Sequence, residues 1–262
     1  MKFSACIEML FTEVPFLERL TKAKEWGFDG VEFWNWDNKD LSTIVDRAAS
    51  LGLEIVTFQS NLGGTLIDPK DRPRFVANIA TSIEKARSAG VKRLFLLTDE
   101  LSEDRSVKPL PYEISSEEKY ESVLAGLKEL APIAEKAGVT LVLEPLNTLV
   151  DHKGYYLNNS KLGFKLIREV ASPNIRLLYD FYHMQIMEGN LITTISENID
   201  AIGHVHVADV PGRHQPGTGE INYRKVYEAL KHAGYSGYVG FEFEPTGSTE
   251  EALAEVKNIF EF

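Results

Sequence analysis

The chain has one cysteine, Cys6, so no internal disulfide can form, and a reducing compartment is the expected setting. No apolar run approaches the roughly 20 residues that cross a bilayer, which argues against a membrane span. No Pro/Gly/Ser-rich tract, charge block or low-complexity stretch divides the 262 residues, so nothing marks a linker between domains. Positive charge is scarce: 28 Lys and Arg face 39 Asp and Glu, for a net charge of −11. Nucleic-acid affinity rests on cations that neutralise phosphates, so a nucleic-acid partner is disfavoured, and the acidity reads as a solvated surface. The opening MKFSACIEMLF carries one lysine and an apolar run containing Glu8, which suits a first buried strand better than a secretory signal. A soluble, cytoplasmic protein is expected.

What the sequence does contain is one unit repeated. An amphipathic stretch ends in glycine and a β-rich run follows, as in EWGFDGVEFW, SLGLEIVTF, SAGVKRLFLL, KAGVTLVLE and HAGYSGYVGFEF. Glycine past a helix end accepts the left-handed cap conformation, which makes Gly27, Gly52, Gly90, Gly138 and Gly234 caps at five helix-to-strand joints. Runs at 2–8, 174–180 and 201–207 bring the strands to eight. Helical patterns fill 15–27, 39–51, 70–89, 115–137, 158–171, 184–198, 222–232 and 249–260. Strict alternation implies a parallel sheet with helical crossovers, and eight repeats favour closure. The expected architecture is α/β, a single (β/α)8 barrel over 1–262. The long segments 59–69, 98–114, 145–157 and 208–221 would then crowd the face where barrel enzymes place their sites.

Four side chains stand at the C-terminal ends of strand-like runs: Glu144 in LVLE, Asp180 in IRLLYD, His206 in GHVHV and Glu242 in YVGFE. A parallel barrel brings those ends to one mouth, so the four could surround one ion. Three carboxylates and an imidazole suit Mn²⁺, Mg²⁺ or Co²⁺, with manganese or magnesium the leading choice. Taken singly, Asp180 reads as a helix cap and His206 as a core histidine; together, the four read as a site. His204 and His206 share one strand face, with His204 a layer deeper and supporting. His183 follows Asp180 near the mouth, where it could contact substrate. His152, His214 and His232 have no comparable placement, although His214 is in a mouth loop. Gln59 is a polar candidate after strand three, and Trp34 and Trp36, two apart, are expected on one face as mouth wall or core. Arg213 carries a donor fork that suits a carboxylate, against the alternative of a solvent-facing loop arginine. Pro216–Glu220 lacks the spacing of a phosphate loop, and Ser248 with Glu251 has capping-box spacing.

The segments YDFYHMQIMEGN, IGHVHVADVPGRHQPGTGEINY and GYVGFEFEP, with FSACIEMLF, GFDGVEFW and LEPLN, resemble the hydroxypyruvate isomerase family within the xylose-isomerase-like barrel superfamily. The resemblance spans most of the chain. It implies that Glu144, Asp180, His206 and Glu242 hold the ion, that Glu144 and Glu242 transfer protons, and that Arg213 and His183 contact substrate oxygens. His206 departs from hydroxypyruvate isomerase sequences that have glutamine there and matches the related ketose 3-epimerases. In such a site the ion binds a carbonyl and its neighbouring hydroxyl, acidifies the C–H between them and stabilises an enediolate.

The leading expectation is an isomerase of a small hydroxy-oxo acid or sugar, with hydroxypyruvate to tartronate semialdehyde as the example. A ketose 3-epimerase acting on free sugars is the alternative. An apurinic-site endonuclease relative fits less well, because the histidine-rich zinc cluster and basic face are missing, and a non-catalytic sugar binder would not need both glutamates. Small barrels of this kind often associate, so a homo-oligomer is in keeping with the fold, but no residue pattern marks an interface.

Overall fold

The computed structural model describes residues 1–261. In chain order the elements are β1 (Lys2–Cys6), α1 (Phe16–Glu25), β2 (Gly30–Asn35), α2 (Leu41–Leu51), β3 (Glu54–Gln59), α3 (Arg72–Ser88), β4 (Arg93–Leu96), α4 (Ser116–Ala137), β5 (Thr140–Leu143), α5 (Ser160–Val170), β6 (Ile175–Asp180), α6 (Phe181–Met187), α7 (Leu191–Asn198), β7 (Ile202–Val207), α8 (Tyr223–His232), β8 (Tyr238–Phe241) and α9 (Thr249–Val256). Neighbouring strands pair in parallel in sequence order. The barrel closes where β1 meets β8, with Ser4 opposite Gly240 on one side and Gly30 on the other. This is the expected single (β/α)8 barrel.

Local chemistry sets the element ends. The Ser115 hydroxyl accepts from the Glu118 amide while the Glu118 carboxylate accepts from the Ser115 amide, and Ser248 with Glu251 repeats this capping box before α9, two otherwise unpaired donors being satisfied each time. Gly52 and Gly138 close α2 and α4 in the left-handed conformation. Within the strands, alternation divides the layers. Phe3, Val31, Leu94, Leu141, Leu177, Val205 and Phe241 are buried in the large core shared with the helices. Inside the barrel Phe95, Val142 and Leu178 form a small apolar plug under Trp34, and Ser4, Glu32, His204 and His206 fill the remaining interior with buried polar groups.

Two expectations are corrected. The helix placed at 184–198 is two helices and starts earlier, at Phe181, because Asp180 both ends β6 and caps α6 by accepting from the Tyr182 and His183 amides. The break follows at Gly189 and Asn190, both with left-handed φ. Trp34 and Trp36 do not share a face: Trp34 turns to the mouth, whereas Trp36 donates to the Ser82 hydroxyl at 3.0 Å and packs on Phe58. The register shift between Phe33 and Asn35, and the end of β2 at Asn35, break the alternation there. Smaller differences trim the ends: the first strand stops at Cys6 and the last helix at Val256.

Candidate active site

Four consecutive strands bring their tips to one point. Glu144 and Glu242 each follow the last residue of β5 and β8, Asp180 ends β6, and His206 is the penultimate residue of β7. All four are buried. One ligand-type atom from each lies within 4.8 Å of every other, a spacing that fits donors around a single cation. His206 Nδ1 is 3.2 Å from Glu242 Oε2 and 3.8 Å from Glu144 Oε1. Asp180 Oδ2 and His206 Nδ1 are buried without a hydrogen-bond partner. Buried polar atoms are rarely left so, and oxygen donors with one imidazole are the set a hard or intermediate divalent cation takes. The residues present therefore fit a metal ion. Asp180 serves twice, since Oδ1 caps α6 while Oδ2 faces the cluster.

Electrostatics separate the two glutamates. Burial pushes Glu144 up to about 7 against the opposing pull of His206. Glu242 is as deeply buried, but His206 and Arg213 outweigh its desolvation and hold it well below the usual carboxylate range. Trp34 Nε1 donates to Glu242 Oε1 at 2.9 Å, and Arg213 Nη2 lies 2.5 Å from Glu242 Oε2. Burial also raises Asp180, more than Arg213 and His206 lower it. For His206 burial works the other way, yet Glu242 and Glu32 overcome it and raise the imidazole well above its ordinary value.

A cleft of about 340 Å³ opens above this cluster, lined in part by Trp34, Gln59, Glu144, His183, Arg213 and Glu242. Asp180 and His206 do not line it but cluster with Glu144 and Glu242, which do, whereas Trp36 and His214 are not part of its wall. Arg213 is no solvent-facing loop residue. It is 8% exposed, lies 3.7 Å from Asp180 Oδ2 as well as on Glu242, and places its guanidinium 5.3 Å from the centre of the Tyr182 ring. His183 Nδ1 accepts from the Asn147 amide at 3.2 Å and faces the Asn147 side-chain nitrogen at 2.7 Å. The network thus assigns the ring proton to Nε2, and burial together with Arg213 keeps the ring neutral. His183 Nε2 and Arg213 Nε are both buried donors without a partner.

A family model described as a xylose isomerase-like TIM barrel matches residues 20–259. The chain belongs to the xylose isomerase-like TIM barrel family. Among its relatives, the hydroxypyruvate isomerase of Escherichia coli (strain K12) is 35% identical over 97% of both chains. The 2-oxo-tetronate isomerase of Cupriavidus necator is 30% identical over 98% of this chain and 97% of its own. A solved structure described as an AP endonuclease, family 2, from Brucella melitensis superposes with a TM-score of 0.88 at 30% identity, covering 98% of this chain and 99% of that one. The expectation of an isomerase stands.

In this xylose isomerase-like barrel the loop from β7 to α8 owes its shape to Asp209. Its carboxylate accepts from the amides of Val210, Gly217 and Ile221, while the Asp209 amide donates to His214. Arg213 sits at the tip with φ 58, where its carbonyl accepts from the Glu244 amide. Gly219 is packed so tightly that a Cβ would lie 2.1 Å from the Val210 carbonyl oxygen. Gly219→Ala is therefore expected to displace Arg213 and lower kcat/KM by about 10²-fold, the scale set by an ångström of misplacement. Steady-state kinetics with a thermal melt check this; unchanged kcat/KM would mean that the packing around Gly219 does not position Arg213.

Several site-side residues were not legible in the sequence. Glu32 is one, although a carboxylate inside the apolar run GVEF was the sign available. Asn147 and Asp209 act through backbone amides that no residue pattern reveals. His152 is another: it is 5% exposed, lines the cleft and lies 5.3 Å ring-to-ring from His183. His204 is buried below His206, where it faces the Glu32 carboxylate.

When sequence distance is ignored, the site has two parts: an acidic floor from β5 to β8 that could hold a cation, and donors from α6 and the β7–α8 loop beside it. Among the described residues no helix is long and apolar enough to cross a membrane.

Proposed function

We propose that the protein is a metal-dependent isomerase of small hydroxy-oxo acids, with hydroxypyruvate to tartronate semialdehyde as the leading reaction. The observation that carries this reading is the pair of buried, partnerless donors, Arg213 Nε and His183 Nε2, on the cleft beside three buried carboxylates. Arg213 and His183 both line the cleft; a guanidinium matches a substrate carboxylate, and a neutral imidazole donor matches a carbonyl or hydroxyl oxygen. The E. coli and C. necator relatives bear names of isomerases of hydroxypyruvate and 2-oxo-tetronate, two acids with that same combination of groups.

Glu144, Asp180, His206 and Glu242 would hold the ion. Bound there, a divalent cation supplies Lewis acidity to a carbonyl oxygen and the adjacent hydroxyl. The remaining chemistry belongs to the chain. Arg213 holds the substrate carboxylate, and His183 donates from Nε2 to a substrate oxygen, its orientation set by Asn147. Glu242, ionised beside His206 and Arg213, takes the proton from C3 of hydroxypyruvate, and a proton is returned to C2 while the hydroxyl proton moves from O3 to O2. Glu144 stands across the cluster as the second proton-transfer group. Trp34 and the apolar plug beneath it limit water around the reacting carbons.

Proton NMR in D₂O of Mn²⁺-loaded protein tests the assignment. Hydroxypyruvate should convert to tartronate semialdehyde with deuterium entering at C2 when the proton exchanges with solvent, and fructose and psicose should remain unlabelled. Deuterium at ketose C3 with formation of the epimer would instead make the protein a ketose 3-epimerase and return Arg213 to a structural role.

A further inference from the structure

Beneath the mouth, Glu32 of β2 is 2% exposed and bridges both histidines of β7. Its Oε2 lies 2.9 Å from His206 Nε2 and 3.0 Å from His204 Nε2, and the Ser4 hydroxyl of β1 donates to Oε1. With Nε2 committed to Glu32, the other nitrogen of His206 points up toward Glu242 and Glu144. The fourth wall of this contact is Gly240 of β8. A Cβ there would lie 2.3 Å from Glu32 Oε1 and 2.7 Å from His206 Cδ2, so glycine is what lets the carboxylate and the ring meet. Four strands are shaped around one hydrogen bond, and burying a carboxylate is too costly to leave it without such a purpose or partner set.

We propose that Glu32 is a positioning residue for metal binding: by accepting the Nε2 proton of His206 it fixes the ring so that the Nδ1 lone pair faces the ion. The inference rests on the reading that Glu144, Asp180, His206 and Glu242 hold that ion. Glu32, His204 and His206 also have ligand-type atoms within 4.8 Å of one another, which raises a rival: a second ion between them. Against it, both oxygens of Glu32 already accept hydrogen bonds, and His204 directs its Nε2 at the same carboxylate.

Titration of metal-stripped, substrate-free protein with Mn²⁺, following free Mn²⁺ by electron paramagnetic resonance, reads affinity and stoichiometry without reference to turnover. The native chain should bind one ion. Glu32→Gln should bind one ion about 10- to 100-fold more weakly, the range for losing a carboxylate behind a metal-bound histidine, and its metal-free melting temperature locates any general damage. Glu32→Asp, which restores the charge one methylene further away, should recover part of the loss. Gly240→Ala approaches the same contact from the opposite strand and should weaken Mn²⁺ binding with every carboxylate intact; it also serves if Glu32→Gln does not fold. Native affinity in the folded variants overturns the inference. So does a fall from two bound ions to one, which would make Glu32 a ligand. A native chain that binds no Mn²⁺ overturns the metal reading itself, an outcome distinct from the other two.

Discussion

Glu242→Gln is expected to lower kcat by about 10²- to 10⁴-fold, the contribution of a positioned proton-transfer group, with the fold intact. The amide keeps the shape of the side chain and can still accept from Trp34, but it cannot take a proton from carbon. His206 and Arg213 keep Glu242 ionised despite its burial, so it is available to accept a proton, although its lowered pKa makes it a weaker base than Glu144. Glu144→Gln should cost a similar factor for a different reason: burial holds its carboxyl near neutrality, at about 7, where a group can both accept and return a proton. Each substitution also removes a prospective ligand, so rates belong at saturating Mn²⁺, with circular dichroism confirming the fold. Solvent deuterium exchange then divides the two roles. The variant that lacks the abstracting base should show neither product nor exchange. If either variant turns over at a near-native rate, that glutamate is not a proton carrier.

Arg213→Ala should reduce kcat/KM for hydroxypyruvate by about 10²-fold, as expected for loss of a charged hydrogen bond worth about 3 kcal/mol. A neutral ketose should suffer far less. The variant has a second consequence, since Arg213 also sits 2.5 Å from Glu242 and its removal leaves a buried carboxylate short of a partner. Arg213→Lys separates the effects. Lysine returns a cation to Glu242 but not the planar fork that matches a carboxylate, so neutral-substrate rates should recover while hydroxypyruvate remains impaired. Equal losses for both substrates in both variants would confine Arg213 to holding Glu242.

The barrel was legible because its cause is periodic. Glycine after five of the amphipathic stretches, and an apolar run after each of those glycines, report helix ends and strand starts directly, and the long β-to-α segments marked the functional face. The floor of the site was legible for the same reason, since Glu144, Asp180, His206 and Glu242 each stand within one residue of the end of their strand. What failed depended on local backbone. The break between α6 and α7 comes from Asp180 starting a helix directly at the strand end and from two left-handed residues, neither of which alters hydrophobic spacing. Trp36 left the face of Trp34 because β2 shifts register and ends between them. Asp209 was invisible because its partners are main-chain amides, which every sequence offers equally, and Asn147 because it meets the His183 ring only through the fold, 36 residues along the chain.

The order of the strands around the barrel has a thermodynamic corollary. The prospective ion ligands belong to β5 through β8, yet Glu242 is also held by Trp34 of β2 and neighbours Cys6 of β1, across the seam where the first strand meets the last. Strands at a closing seam are joined by no short connection, so they are the natural place for local opening to begin. An ion held at the mouth would bind only the closed form, and its binding free energy would be added to closure. The same cation that serves the chemistry would thus act as a clasp, tying the two ends of the chain together and coupling opening of the barrel to the supply of metal.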